Sequence, residues 1–286
     1  SRIYHHVNHI TNVWFVWTVI GCVIMEVYYV IISFIFGTLL GSFYNVVGYR
    51  LPNNLSIVYP DSFCPKCKHK LKWYELIPIF SFLIQGGKCR NCKCKISWFY
   101  PTIEFLTGLL FMLSYIKYGF TPECLISMLI ASFFVIVIVS DMNYLIIPDE
   151  VTFFFSLVMI IIKFAFFGVK SGINSILYGL LLFAIMYLVM LLGNKVLKKE
   201  CLGGGDIKIM FFVGSILSPL EGLFSLFLAS AIALPFSIII LYSKNKNKVV
   251  PFGPFILLGL LIVYYFNIDV IALFEHIKYW YILSNY

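Results

Sequence analysis

The fold of this chain is decided by residues 126–149, which read ISMLIASFFVIVIVSDMNYLIIPD. The apolar run around them, 123–140, is long enough to cross a bilayer, which takes about 17–25 residues. It ends at Asp141. A carboxylate at a membrane border is costly to bury and usually performs chemistry or carries an ion. An aspartate at a helix C-terminus also opposes the helix macrodipole, so capping does not explain it.

The composition is that of a membrane protein. Of the 286 residues, 61% are hydrophobic and 12% are charged, whereas soluble domains have roughly 45–50% and about 25%. We therefore predict an all-α polytopic membrane protein with about eight transmembrane helices. The apolar runs lie at 27–48, 100–116, 123–140, 151–168, 173–194, 207–220, 222–242 and 250–268. The only sizeable polar segment is 49–99.

The positive charge is unevenly distributed along the chain. The formal net charge is +8, and sixteen of the 21 lysines and arginines fall within 49–99, 195–208 and 244–248. A basic balance can indicate nucleic-acid binding. Basic residues clustered between apolar runs are instead typical of cytoplasmic loops next to lipid headgroups. The pattern predicts membrane lipid and no nucleic acid as a partner. Because successive apolar runs cross the membrane in alternating directions, the Asp141 loop is predicted to lie on the cytoplasmic side as well.

A second aspartate follows three glycines in Gly203-Gly204-Gly205-Asp206-Ile207-Lys208, on the same predicted side. Glycines let another backbone approach the carboxylate closely. Asp206 could also cap the helix that follows it, and Asp149 is expected to cap the helix after Pro148. Two acids at helix ends on one side of the membrane nevertheless indicate an aspartic dyad.

The polar segment contains two C-x2-C pairs, Cys64/Cys67 and Cys89/Cys92, with 21 residues between them. Two such knuckles are typical of a zinc ribbon, and four protein ligands leave no open position, so the metal would be structural. A pair of disulfides is the alternative, but a reducing cytoplasm disfavours it. Cys94 could substitute for Cys92. Metal binding would supply the folding energy that a segment of about 50 residues lacks.

Taken together, these motifs resemble the prepilin peptidases, also called type IV leader peptidases. The similarity also includes the first-helix exit GSFYNVVGYRLP at 41–52 and YPTIE at 100–104, where the second helix begins. It implies a membrane aspartic protease of the Gly-x-Gly-Asp type in the bacterial cytoplasmic (inner) membrane. Such enzymes cut prepilins and pseudopilins after a glycine, on the cytoplasmic side. Many members also N-methylate the new N-terminus with S-adenosylmethionine.

The resemblance assigns roles to individual residues. Asp141 and Asp206 are expected to be catalytic, supported by their neighbours Pro148, Asp149, Gly203, Gly204, Gly205 and Lys208. Methyl transfer would involve Gly41, Asn45, Arg50 and Glu104, although residues 49–99 contain no glycine-rich cofactor loop of the soluble kind.

The same reading divides the chain into segments. Residues 1–24 are expected to be an added or upstream extension, because the apolar run 13–25 is short and Met25-Glu26 resembles a natural start. Residues 25–48 would form the first transmembrane helix and 49–99 the zinc-binding, methyltransferase-associated loop domain. Residues 100–268 would form the peptidase domain and 269–286 a C-terminal tail.

A transporter or channel with a zinc-stapled loop is the alternative from another class. It predicts acids near mid-membrane and two matching halves with broken helices. Here the acids lie at the ends of apolar runs, and no halves match. The sequence therefore favours the protease.

Overall fold

A computed structural model describes residues 2–198, 202–242 and 250–275, with the backbone alone for residues 2–20, 22, 197 and 241. The all-α fold class is confirmed, and no strand forms within these ranges. The helices are α1 (Arg2–Arg50), α2 (Phe80–Ile84), α3 (Phe99–Tyr118), α4 (Pro122–Tyr144), α5 (Asp149–Leu197), α6 (Gly204–Ile216), α7 (Pro219–Tyr242) and α8 (Gly253–Phe266). Of the expected tail 269–286, residues from 276 onward lie outside the described chain.

Helix length and composition fit a polytopic membrane protein. Five helical stretches are long and apolar enough to cross a membrane, namely Val23–Asn53, Phe99–Tyr118, Pro122–Tyr144, Asp149–Val196 and Pro219–Ile240. Helix α8 is apolar but shorter. Each of the eight predicted apolar runs therefore corresponds to a helical segment, provided that α5 counts as two.

Helix α5 is broken near its middle. Gly168 has φ 83° and ψ 170°, outside the helical region, a conformation that glycine adopts without steric penalty. A methyl group at Gly172 would meet the ring of Phe164. Residues eight apart in one straight helix lie about 12 Å apart along its axis, so this contact shows that the chain doubles back at Gly168.

Helix α4 forms the centre of the molecule. It contacts α1, α3, α5 and α8, and eleven of the twelve residues from Ile130 to Asp141 are buried. A helix that is apolar on all sides suits either a protein interior or lipid, and here neighbouring helices surround it. The segment that carries Asp141 is therefore held in the interior of the bundle.

Small residues bring the flanking helices into close contact. In the α1–α3 pair, a methyl group at Gly37 would lie 2.8 Å from the Cα atom of Gly108. In the α5–α6 pair, one at Gly214 would lie 2.8 Å from the Cα atom of Gly179. Such close approach of backbones is how small residues stabilise membrane helix pairs. The two pairs fix the helices that carry the candidate site.

One end of the bundle collects the polar segments. The C-terminus of α4 lies there with the N-termini of α5, α6 and α8. The loop 51–98 joins them, since the backbone N–H of Ile79 donates to Glu104 in α3 (2.8 Å). At the opposite end, the Tyr118 hydroxyl donates to the carbonyl of Tyr264 (2.9 Å). We refer to the first as the Asp141 end.

Candidate active site

Asp141 lies in the last turn of α4 and is only 5% exposed. The helix ends at Tyr144 because Leu145 adopts a left-handed conformation (φ 55°), and its N–H donates to the Asp141 carbonyl (2.9 Å). This C-terminal turn reverses the chain, which then leads through Pro148 into α5. The carboxylate is thereby fixed at the point where α4 stops.

Asp206 lies in the first turn of α6, where its backbone N–H donates to the carbonyl of Gly203 (3.2 Å). Its Oδ2 atom lies 3.3 Å from the position that a Cβ atom at Gly203 would occupy. No side-chain hydrogen bond caps α5 or α6. The expected capping role of Asp149 is therefore not found, and capping does not account for Asp206.

The two aspartates meet at the Asp141 end. Ile147 packs between the segments: its Cδ1 atom lies 2.9 Å from a Cβ position at Gly205 and 2.8 Å from one at Gly253. Side chains larger than hydrogen at these two glycines would push the segments apart.

Gly253 is a site residue that the sequence reasoning missed. It begins α8, and Oδ2 of Asp141 lies 3.1 Å from its Cβ position. The signal that could have identified it is the stretch Pro251-Phe252-Gly253-Pro254, a glycine between prolines at the start of an apolar run. The site therefore comprises three segments rather than two.

At the surface, an ion pair joins the segments that carry Asp141 and Asp206. The ammonium of Lys208 lies 2.6 Å from Oδ1 of Asp149, and the two side chains are 45% and 67% exposed. Such an exposed pair contributes about 0–1 kcal/mol to stability. The pair can therefore hold the segments in register but is not a major source of stability.

An apolar groove of about 330 Å³ opens beside this ion pair, lined by Asp149, Thr152, Phe153, Ser156, Leu180, Phe183, Lys208 and Phe211. The hydroxyl of Ser156 is buried in it without a hydrogen-bond partner. Lys208 follows Asp206 by two residues, about 200° around a helix. The groove thus lies on the side of α6 away from the Asp206 carboxylate, and it is separate from the dyad.

The four predicted metal ligands come together in the loop. The sulfur atoms of Cys64, Cys67, Cys89 and Cys92 all lie within 4.8 Å of one another. Cys64 to Cys92 is 3.8 Å and Cys67 to Cys89 is 3.9 Å. Four sulfurs bound tetrahedrally at about 2.3 Å would lie about 3.8 Å apart. The cysteines therefore fit a tetrahedral zinc ion.

At Cys64, the backbone of the first knuckle also favours the ionised thiol that a metal requires. The backbone N–H of Cys67 donates to the Cys64 sulfur and lowers the pKa of Cys64. The Asn91 amide from the second knuckle donates to the sulfur of Cys67 (3.7 Å). The second knuckle thus contributes to the surroundings of a sulfur in the first.

Buried Glu75 ties the two knuckles together. Its Oε2 atom accepts from the backbone N–H of Lys72 (2.9 Å), and this bond holds the pKa of Glu75 below its ordinary value of 4.5. The same oxygen lies 3.4 Å from His69 Nε2 in the first knuckle. The other oxygen lies 4.0 Å from Arg90 Nε in the second. Glu75 was not among the predicted site residues.

Three of the four residues assigned to methyl transfer are close together between α1 and α3. A Cβ at Gly41 would lie 2.9 Å from the Cα of Glu104. Asn45 donates to the carbonyl of Tyr100, one turn before Glu104 (3.3 Å), and its buried Oδ1 has no partner. Arg50 instead donates to the carbonyl of Ser56 (3.0 Å), at the start of the loop.

An unpaired buried acceptor beside a buried carboxylate suits a ligand with hydroxyl and ammonium donors. These are groups that S-adenosylmethionine carries. The donor and acceptor set at Asn45 and Glu104 therefore fits that cofactor.

Comparisons with known proteins agree with this geometry. Residues 35–118 match the model of the bacterial peptidase A24 N-terminal domain, and residues 128–238 match that of the type IV leader peptidase family. No solved structure matches the chain.

Curated relatives match over most of the length. A "Prepilin leader peptidase/N-methyltransferase" of Bacillus subtilis is 34% identical over 85% of this chain and 96% of its own. A relative of the same name from Vibrio cholerae is 30% identical over 84% of this chain and 98% of its own. A "Type 4 prepilin-like proteins leader peptide-processing enzyme" of Escherichia coli is 28% identical over 78% of this chain and 88% of its own. This chain therefore belongs to the type IV leader peptidase family.

Proposed function

We propose that the protein is a membrane aspartic endopeptidase that removes the leader peptides of type IV prepilins and pseudopilins, cutting after a glycine. The observation that carries the proposal is that Asp141 and Asp206, from segments more than sixty residues apart, lie around Ile147 at one end of the bundle. Family membership supports the substrate class.

The mechanism follows from the chemistry of paired carboxylates. Two carboxylates that come within hydrogen-bond distance do not both ionise readily, and they share one proton. The ionised carboxylate takes a proton from the attacking water, while the protonated one polarises the scissile carbonyl and later protonates the leaving amine. The two act as a pair, so neither role belongs to one residue alone. The cut requires no metal.

The glycines supply access for the peptide. Gly203 and Gly204 are exposed, and a Cβ atom at Gly204 would meet no atom within 4 Å. An extended backbone can therefore approach Asp206 from this side. The ion pair between Lys208 and Asp149 joins the two catalytic segments behind the dyad, and Pro148 leads the chain into α5.

We place the protein in the bacterial cytoplasmic membrane, with the Asp141 end in the cytoplasm. The lysines and arginines of 49–99 and 195–208 support this orientation, because short cytoplasmic loops are enriched in these residues. A membrane transporter is not favoured, because the paired acids lie at helix ends rather than within helices.

The loop would bind one structural zinc ion through Cys64, Cys67, Cys89 and Cys92. S-adenosylmethionine would be held by Asn45 and Glu104, with Gly41 allowing α1 and α3 to pack closely and Arg50 at the loop boundary. That cofactor supplies the methyl group for the amine that cleavage exposes. Glu104 also accepts from Ile79 of the loop, so the zinc-bound loop would fix one side of this site.

The test is co-expression with a prepilin, followed by mass spectrometry of the pilin, which reports cleavage and methylation together. Wild type should give a shortened, methylated product. Asp141→Asn and Asp206→Asn should each abolish cleavage, whereas Asp61→Asn, at an exposed loop aspartate, should retain it. Substantial processing by either dyad variant would contradict the assignment.

A further inference from the structure

A fifth thiol lies against the four-cysteine cluster. The sulfur of Cys94 is 3.6 Å from that of Cys64, slightly nearer than the sulfur of Cys92 at 3.8 Å. Both distances are close to the roughly 3.8 Å expected for two sulfurs that share a tetrahedral zinc ion. Measured from the buried thiol Cys64, the two candidates for the fourth ligand lie about equally near, although the set of four sulfurs within 4.8 Å of one another contains Cys92 and not Cys94.

The two knuckles have the same backbone structure, and this comparison shows whether the turn needs the side chain of Cys94. The N–H of Cys64 donates to the carbonyl of His69, and the N–H of Cys89 donates to that of Cys94, both at 2.9 Å. Lys68 and Lys93 occupy the same left-handed position, each with φ 57°. The backbone of Cys94 therefore closes the turn, and its side chain is not required for this.

The side chains at the two equivalent positions point to different partners. His69 pairs with Glu75 (Nε2 to Oε2, 3.4 Å), whereas Cys94 faces the sulfur of Cys64. The fold thus places a soft metal ligand at this position in the second knuckle only.

The exposure of the thiols separates their roles. Cys64 and Cys89 are buried, Cys67 and Cys94 are partly buried, and Cys92 is exposed. Cys92 is therefore the predicted ligand most open to alkylating and oxidising reagents.

We propose that the zinc site has two overlapping ligand sets, in which Cys64, Cys67 and Cys89 are constant and Cys92 and Cys94 exchange as the fourth ligand. In the exchange the Cys94 thiol loses its proton and forms a Zn–S bond. The Zn–S bond of Cys92 breaks, and its thiolate takes up a proton. No atom changes oxidation state. The site would then keep its metal when the exposed Cys92 is modified. This inference rests on the zinc binding proposed above.

The test measures zinc per protein by elemental analysis and the rate of zinc release to a chelator, using the full-length protein in detergent. Cys92→Ser and Cys94→Ser should each retain one zinc. The double variant Cys92→Ser/Cys94→Ser should release it at least tenfold faster, as should Cys89→Ser alone. Cys124→Ser, at a buried thiol in α4, is the matched control and should behave as wild type.

Two outcomes would overturn the exchange. Cys92→Ser could lose zinc as readily as Cys89→Ser, or the double variant could retain it fully. A wild-type protein without zinc would instead contradict the zinc site itself. Prepilin cleavage, measured on the same samples, is independent of both results.

A second measurement avoids the risk that a variant fails to fold. Wild-type protein with bound zinc is treated with iodoacetamide, and the loop peptides are analysed by mass spectrometry. We expect one alkyl group among the five loop thiols, distributed between Cys92 and Cys94, with zinc retained. Label confined to Cys94 would mean that Cys92 is a permanent ligand and would overturn the proposal.

Discussion

Gly205→Ala tests whether the contact with Ile147 sets the geometry of the dyad. The added methyl group would lie 2.9, 3.0 and 3.3 Å from Cδ1, Cβ and Cγ1 of Ile147, where carbon atoms normally pack at about 3.5–4.0 Å. Overpacking of this kind costs about 1–3 kcal/mol. If the strain displaces Asp206 from Asp141, the rate falls about tenfold per 1.4 kcal/mol, hence about 5- to 150-fold.

The assay is cleavage of a purified prepilin in detergent, with kcat and KM determined separately. Gly204→Ala serves as the comparison, since its methyl group would meet no atom within 4 Å. In the double variant Gly205→Ala/Ile147→Ala, two of the three close contacts are removed. Neighbouring residues commonly couple by about 0.5–3 kcal/mol, so part of the lost rate should return.

Two results would refute the steric reasoning. The double variant could be no faster than the product of the two single effects, or Gly204→Ala could be as slow as Gly205→Ala. Either would mean that the glycines act on the substrate rather than through Ile147.

Three further outcomes are expected. Asp149→Asn breaks the exposed ion pair with Lys208 and should lower stability by less than about 1 kcal/mol and cleavage by less than about tenfold; thermal unfolding and cleavage rates check this. Because the pKa of Glu75 lies below its ordinary 4.5, its stabilisation of the loop is present above about pH 4.5 and lost as pH falls through the lowered value. Limited proteolysis across pH should show that Glu75→Gln removes this dependence, and an unchanged profile would contradict it. Removing zinc with a chelator should expose residues 49–99 to protease while the helical circular dichroism stays nearly constant, and a protected loop would count against a structural metal.

Much of the fold could be predicted from the sequence because membrane helices are identified by length and composition. The eight apolar runs became helical segments, and the two C-x2-C pairs met as their spacing indicated. The boundaries were less accurate. The sequence predicted a gap of several residues between the fourth and fifth runs, whereas α5 is interrupted at Gly168 alone.

The parts of the site that sequence reasoning missed depend on contacts between distant segments. Ile147 and Gly253 are more than a hundred residues apart, and only the packing of α8 against α4 brings them together. Glu75 was missed for the same reason, because its partners His69 and Arg90 belong to different knuckles. Asp149 was expected to act locally as a cap, but Lys208 of another segment pairs with its carboxylate.

The length of α6 has a consequence for the depth at which Asp206 lies. Its 13 residues rise about 20 Å, roughly 10 Å less than the hydrocarbon layer of an ordinary bilayer. Eight of these residues are buried against neighbouring helices, so protein rather than lipid surrounds the short helix. Asp206, in its first turn, can therefore lie below the level of the headgroups without facing lipid. A substrate helix would then have to unwind less of its end to reach the carboxylate.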